Sequence, residues 1–180
     1  MIILIGASAS GKTEIAKKLI NNYSFQKVIT YTTRLPRKNE TNNIDYHFVT
    51  IEKFLKLKEE DFFLETTLYN ENYYGTAKNE IGLNKILIVD PKGYAAYRKI
   101  NDATIISFYI NVEESVRKER MFNRGDCPDD IAKRLLNDQK DFSFNNIGIT
   151  DFVIDSRDMS ITELADEINT KYYKKIIDTN

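Results

Sequence analysis

Apolar runs alternate with amphipathic stretches along this chain, and that alternation predicts a parallel sheet covered by helices. Met1 to Ile5 (MIILI) is apolar at every position, as suits a strand buried on both faces. Lys85 to Asp90 (KILIVD), Thr104 to Ile110 (TIISFYI) and Asp151 to Asp155 (DFVID) read the same way. Gln26 to Tyr31 (QKVITY) is expected to add a fifth strand. Thr13 to Asn21 predicts a helix with Ile15, Ala16, Leu19 and Ile20 on one face. Further on, Ser160 and Glu163 have the spacing of a capping box, with Ile161, Leu164, Ala165, Ile168 and Tyr172 at helical intervals around and after it.

Between Glu113 and Phe144 the pattern predicts two helices, broken at Arg124-Gly125-Asp126-Cys127-Pro128, where Gly and Pro mark a loop. Residues from Thr32 to about Gly82 depart from the alternation. They are polar at first and then rich in Tyr and Phe, with a short helical pattern at Ile51 to Leu57. The 180 residues are expected to form one domain. Its core would span about 1–31, 83–120 and 135–180, with an insertion at about 32–82 and a smaller segment at about 121–134.

Composition narrows the class. The chain is 42% hydrophobic and 29% charged, and its 26 Lys+Arg nearly balance 27 Asp+Glu. A nucleic-acid or anionic-membrane binder is usually strongly basic, so neither partner is expected. A single Cys (Cys127) and a single His (His47) exclude an intramolecular disulfide and any zinc site built from several such residues. The opening apolar run has no basic flank and is too short for a signal peptide or membrane span. A reduced, cytoplasmic setting is therefore expected.

Gly6-Ala7-Ser8-Ala9-Ser10-Gly11-Lys12-Thr13 matches G-x-x-x-x-G-K-[ST], between a buried strand and an amphipathic helix as that motif requires. Gly6 and Gly11 permit a loop whose amides turn inward around phosphate oxygens, aided by the positive end of the following helix. Lys12 is expected to reach the β- and γ-phosphates, and the Thr13 hydroxyl to ligate Mg²⁺. The motif says purine nucleoside triphosphate and no more; its bland alternative is a small-residue turn.

Thr30-Tyr31-Thr32-Thr33-Arg34-Leu35-Pro36-Arg37-Lys38-Asn39-Glu40, followed by Asp45-Tyr46-His47-Phe48-Val49, places two guanidinium groups beside hydroxyls and a Tyr. Arg binds phosphate bidentately and Tyr adds a neutral donor, which suits a second anionic ligand. A solvated basic turn would carry the same charges. The wider pattern, T-T-R-x-P-R-x-x-E and then D-Y-x-F-V, resembles the signature of the guanylate kinase family. The resemblance continues at Phe63-Leu64-Glu65, Asn72-Tyr73-Tyr74-Gly75-Thr76, Val89-Asp90-Pro91-Lys92-Gly93 and from Arg120 through Arg134. It runs in order through nearly the whole chain.

What the resemblance implies is an α/β P-loop NTPase fold with a parallel five-stranded core sheet, a GMP-binding insertion and a lid near Gly125. The implied reaction is transfer from ATP, with Mg²⁺, to GMP, with dGMP as a further acceptor to test. Arg34, Arg37, Tyr46 and Tyr74 would hold the GMP phosphate. Thr30, Glu65, Thr76 and Asp90 would read the guanine, and Arg120, Arg124 and Arg134 would close over the transferred group. The base chemistry agrees independently. Guanine presents N1–H and an exocyclic amine to an ionised Glu65, whereas the lone pair on adenine N1 would be repelled. No catalytic His is needed, because a phosphate monoester with a second pKa near about 6 is already mostly a dianion at neutral pH. A monomer or homodimer is expected. His47, alternating with Tyr46 and Phe48, should face the opposite side, and Cys127 is read as a bystander.

Five positions depart from the family pattern. Ile88 stands where an acidic residue usually helps hold the magnesium hydration shell. Asn43 replaces a common Gly, a mild change because Asn tolerates left-handed angles. Asp155 replaces a common Asn near the expected adenine site, while Thr30 and Thr76 replace Ser and keep the hydroxyl. Two other readings stay open on sequence alone: a kinase of this fold with another phosphorylated acceptor, and a non-catalytic guanylate-kinase-like binding module. The intact GASASGKT loop argues against the second.

Overall fold

In a computed structural model, residues 1–37, 40–69, 71–100, 102–157 and 159–179 are described. In chain order the elements are β1 (Ile2–Ile5), α1 (Lys12–Tyr23), β2 (Gln26–Lys27), β3 (Tyr31–Thr32), β4 (His47–Phe48), α2 (Ile51–Glu59), β5 (Phe63–Tyr69) and β6 (Asn72–Ala77). There follow β7 (Lys85–Ile88), α3 (Pro91–Tyr97), β8 (Ile106–Asn111), α4 (Glu114–Asn123), α5 (Pro128–Asp141), α6 (Phe144–Ile147), β9 (Phe152–Asp155) and α7 (Ile161–Thr179).

Five of the strands form one parallel sheet, ordered β2-β7-β1-β8-β9. β1 is apolar throughout because it is the central strand and helices cover both faces. Ile2 and Leu4 pack with Ile15 and Leu19 of α1 and with Leu164 and Ile168 of α7. Met1, Ile3 and Ile5 face the other way, onto Tyr94 and Tyr97 of α3. Each such side chain, fully removed from water, contributes about 1.5–3 kcal/mol of transfer free energy. The expected capping box opens α7: the Glu163 amide donates to Ser160 Oγ at 3.2 Å, and the Ser160 amide donates to Glu163 Oε2 at 2.8 Å. Among the described residues no helix is long and apolar enough to cross a membrane.

The expected strand from Gln26 to Tyr31 is not one strand. Gln26–Lys27 pairs with β7 at the edge of the parallel sheet, whereas Tyr31–Thr32 belongs to a second sheet ordered β4-β3-β6-β5. The Val28 amide still donates to the Ile86 carbonyl, at 2.8 Å. Beyond it the chain leaves the first sheet and joins β6 antiparallel and β4 parallel. A continuous apolar-polar pattern carried no sign of that change of partner. Helix α3 was also unforeseen, although its cue was present. Asp90 caps it by accepting from the Gly93 amide at 2.7 Å, and Pro91 fills the first turn, where its missing N–H costs nothing.

The second sheet has two unlike faces. On one, Phe54 of α2, fully buried, stacks on Phe63 (centroids 4.5 Å apart) and Tyr73 (5.4 Å). Gly75 makes that packing possible, since a Cβ there would lie 3.0 Å from both the Phe54 and Phe63 rings. The opposite face is set by a register shift between Phe63 and Glu65. Phe63 pairs with Ala77, but Glu65 pairs with Thr76 and Thr67 with Tyr74. The irregularity at Leu64 therefore turns Glu65 onto the polar face beside Thr76, the re-aiming that β-bulges often perform near functional sites.

Candidate active site

Two recesses meet at the carboxyl end of β7, where the second sheet overhangs the first. The smaller, about 180 Å³, is bounded by Thr30, Tyr46, Glu65, Tyr74, Thr76 and Asp90. The larger, about 480 Å³, reaches from Gly6, Ser8 and Lys12 to Arg134 and Asp138. They share Tyr46, Ile88, Val89 and Asp90 as a common wall. A crevice outside the carboxyl ends of parallel strands is where open α/β sheets take their ligands.

The loop between β1 and α1 forms the floor of the larger recess. Ala9 (φ 59°) and Gly11 (φ 93°) both adopt the left-handed conformation, which folds successive amides into a concave nest. Gly6 is needed for a different reason: a Cβ there would lie 2.8 Å from the Ile110 carbonyl oxygen. Lys12 does not extend into the recess. Its ammonium donates to the carbonyls of Gly6 (2.6 Å) and Ala7 (2.8 Å) and to Ser10 Oγ (3.1 Å). Burial lowers its pKa to about 8, against the raising effect of Asp138. Thr13 is exposed in the first turn of α1.

Glu65 is the most perturbed carboxyl of the smaller recess. It accepts from the Thr76 hydroxyl at 2.8 Å. Burial lifts its pKa to about 7 and the Asp90 charge adds to the rise, although hydrogen bonds from Thr76 and Thr67 oppose it. The base-reading role expected of an ionised Glu65 thus falls to a group that titrates near neutrality. Behind it, Tyr97 is buried, with Thr76 and Glu65 as neighbours of its hydroxyl.

Arg34, Tyr46 and Tyr74 come together as a cluster. The Arg34 guanidinium lies 5.4 Å from the Tyr46 ring centre and 5.7 Å from that of Phe48, and the rings of Tyr46 and Tyr74 meet edge to face at 6.2 Å. Arg34 is also paired with Glu40, Nη2 to Oε1, at 2.8 Å. That bond raises the arginine's pKa and lowers the glutamate's. Glu40 belonged to the quoted pattern, but its role as the arginine's partner was not foreseen. Arg37 is exposed at the edge of the cluster: its charge acts on Tyr46 and Glu40, and its backbone amide donates to Glu40 Oε2 at 2.8 Å. Lys38 and Asn39 lie outside the described residues. His47 faces away from Tyr46 and Phe48, packing on Tyr31 at 4.5 Å. Asn43 adopts φ 65°, the left-handed angle.

The three expected lid arginines are placed differently from one another. Arg120 reaches the phosphate loop, donating to the Ala9 carbonyl at 3.2 Å. Arg134 borders the larger recess. Arg124 is exposed and paired with Asp126, which also lies 3.6 Å from Arg134. Asp155 is exposed and paired with Arg157. A buried pair, Arg117 with Asp138, was not anticipated, although Arg117 lies three residues before Arg120 and seven before Arg124, on the same helical stripe.

A family model described as guanylate kinase matches residues 1–171. The chain is 32% identical over 174 residues to a guanylate kinase of Pseudoalteromonas translucida (strain TAC 125), covering 91% of this chain and 84% of that one. It is 31% identical over 199 residues to a guanylate kinase of Onion yellows phytoplasma (strain OY-M), covering 100% and 94%. The crystal structure of guanylate kinase from Anaplasma phagocytophilum superposes with a TM-score of 0.72 at 25% identity, covering 97% of this chain and 85% of that one.

Proposed function

The chain belongs to the guanylate kinase family, and from that membership we propose that it transfers the γ-phosphoryl group of ATP to GMP, giving ADP and GDP. The observation that carries this reading is the pair of joined recesses. One is floored by an anion-binding nest, the other lined by a carboxyl and a hydroxyl that complement the guanine edge.

In this reading the loop of residues 6–13 cradles the ATP phosphates. Lys12 leaves its carbonyl partners for the β- and γ-oxygens, which carry more negative charge than those carbonyls. Arg34, Tyr46 and Tyr74 orient the GMP phosphate. Arg37, whose charge reaches Tyr46 and Glu40, joins them from the edge of the site. Thr30, Glu65, Thr76 and Asp90 read the base: Glu65 accepts from guanine N1–H and N2, and adenine would leave it unpaired, a penalty that discriminates by up to about 10⁴–10⁵. Arg120, Arg124 and Arg134 spread over the equatorial oxygens of the transferring group. For Arg124 that requires release from Asp126. The catalytic contribution is positioning and charge stabilisation, with water kept from the γ-phosphate as the lid segment, about 121–134, closes over the cleft.

Mg²⁺, held by the Thr13 hydroxyl, would neutralise negative charge during transfer. Among the described residues no cluster of three acidic, His or Cys groups exists to hold a metal alone. Thr13 is the one protein oxygen assigned to the ion in this reading. The whole set lies within one chain, so a monomer suffices for the reaction. A reduced, cytosolic setting agrees with the exposed free thiol of Cys127. The test is ADP release with GMP, dGMP, AMP and a sugar phosphate as acceptors, with and without Mg²⁺. Turnover restricted to guanine nucleotides is expected; preference for any other acceptor overturns the reading.

A further inference from the structure

Arg117 and Asp138 are 6% and 8% exposed, an unusual depth for two charged side chains, beside helix positions where Met121, Ile131 and Leu135 are buried. Burying such a pair carries a desolvation penalty that only full hydrogen bonding offsets. The bonding here is extensive and pointed. Asp138 Oδ2 accepts from Arg117 Nη1 at 2.7 Å and from the Ser8 amide at 3.0 Å, while Oδ1 accepts from the Ser8 hydroxyl at 3.1 Å. Arg117 also donates from Nε to the Val112 carbonyl (3.3 Å) and from Nη1 to the Ser8 carbonyl (3.4 Å). One ion pair thus joins the segment after β8, both helices that carry the lid arginines, and the phosphate loop itself. Asp138 lies one turn beyond Arg134 on α5, and Arg117 one turn before Arg120 on α4. A pair serving stability alone would have no reason to grip a loop amide and hydroxyl, because apolar side chains fill such space at no electrostatic cost.

We propose that Arg117 and Asp138 are positioning residues of the donor site: Asp138 grips Ser8 and fixes the phosphate loop in its nest, and Arg117 holds that carboxylate in place. Ser8's amide then serves as the loop's anchor, and phosphate is left to the amides that follow it. Asp138 also places a negative charge in the field of Lys12, favouring the ammonium that ATP requires. The proposal rests on the reading that this loop holds ATP.

The single variant Asp138→Ala strands a buried guanidinium and destabilises the chain whatever its role. The informative variant is therefore the double Arg117→Met with Asp138→Leu, which removes both charges together. A non-hydrolysable ATP analogue and GMP are titrated separately by calorimetry, at a temperature where thermal melts show each chain folded. The expected result is analogue affinity weakened about tenfold with GMP affinity held within about twofold, since loss of charge-assisted bonds to the loop touches the donor alone. A double variant that binds the analogue as tightly as the unmodified chain, or loses both affinities in parallel, overturns the proposal. An unmodified chain that binds the analogue but transfers nothing to GMP would sink the functional reading and leave the anchor standing.

Discussion

Guanine binding should be a proton-releasing event centred on Glu65. The free carboxyl titrates at about 7, so at pH 7 about half the molecules hold a proton there, about nine-tenths at pH 6 and about one-tenth at pH 8. Only the ionised form can accept from both guanine N1–H and N2. Binding therefore expels roughly 0.5 proton at pH 7 and roughly 0.9 at pH 6 from this group. The GMP phosphate, with a second pKa near about 6, adds about 0.1 and 0.5 if bound as the dianion. The sign is fixed: the site prefers the deprotonated state, so GMP affinity rises with pH through 7. The Glu65 contribution between pH 6 and pH 8 is about tenfold, or about 1.4 kcal/mol. Calorimetry of GMP binding in buffers of different ionisation enthalpy counts the protons. The unmodified chain should release about 0.6 at pH 7 and Glu65→Gln only about 0.1, the ligand's own share. Equal release from both chains would refute the assignment of Glu65 to the base.

Two further outcomes follow from the second sheet. Gly75→Ala should destabilise the fold by about 1–3 kcal/mol in urea titrations, because the added methyl meets the fully buried Phe54 ring and neither ring can retreat; an unchanged midpoint would contradict the packing described. Arg34→Lys should raise the KM for GMP about tenfold and leave that for ATP unchanged, because an ammonium retains charge but loses the fork that suits phosphate and the stacking over Tyr46 and Phe48. Parallel rises in both KM values would place Arg34 outside the acceptor site.

Features that depend on local pattern were legible in the sequence. β1 is an unbroken apolar run beside a spaced Gly-Lys-Thr loop, and the capping box before α7 is a three-residue spacing; neither needs a distant partner to be recognised. Features that depend on partners were not. Gln26 to Tyr31 looked continuous because the chain's switch from β7 to β6 leaves no mark on side-chain alternation. Glu65 was named, but its place opposite Thr76 depends on a register shift, and its titration near neutrality depends on burial depth. Arg117 and Asp138 looked like ordinary helix charges, since nothing in 21 residues of spacing reports that they meet. Arg37 was named from the pattern as well, and its exposure on the loop before Glu40 depends on how that loop folds.

In the proposed reaction one cleft holds two nucleotides end to end. An adenosine and a guanosine joined through a five-phosphate bridge present both ligands in a single molecule, and inhibition kinetics against each substrate test the claim directly. The compound should compete with ATP and with GMP alike and bind more tightly than either, as linkage of two neighbouring sites requires. Competition with only one substrate, or affinity no better than that substrate alone, would mean that the two recesses do not form a single reaction site.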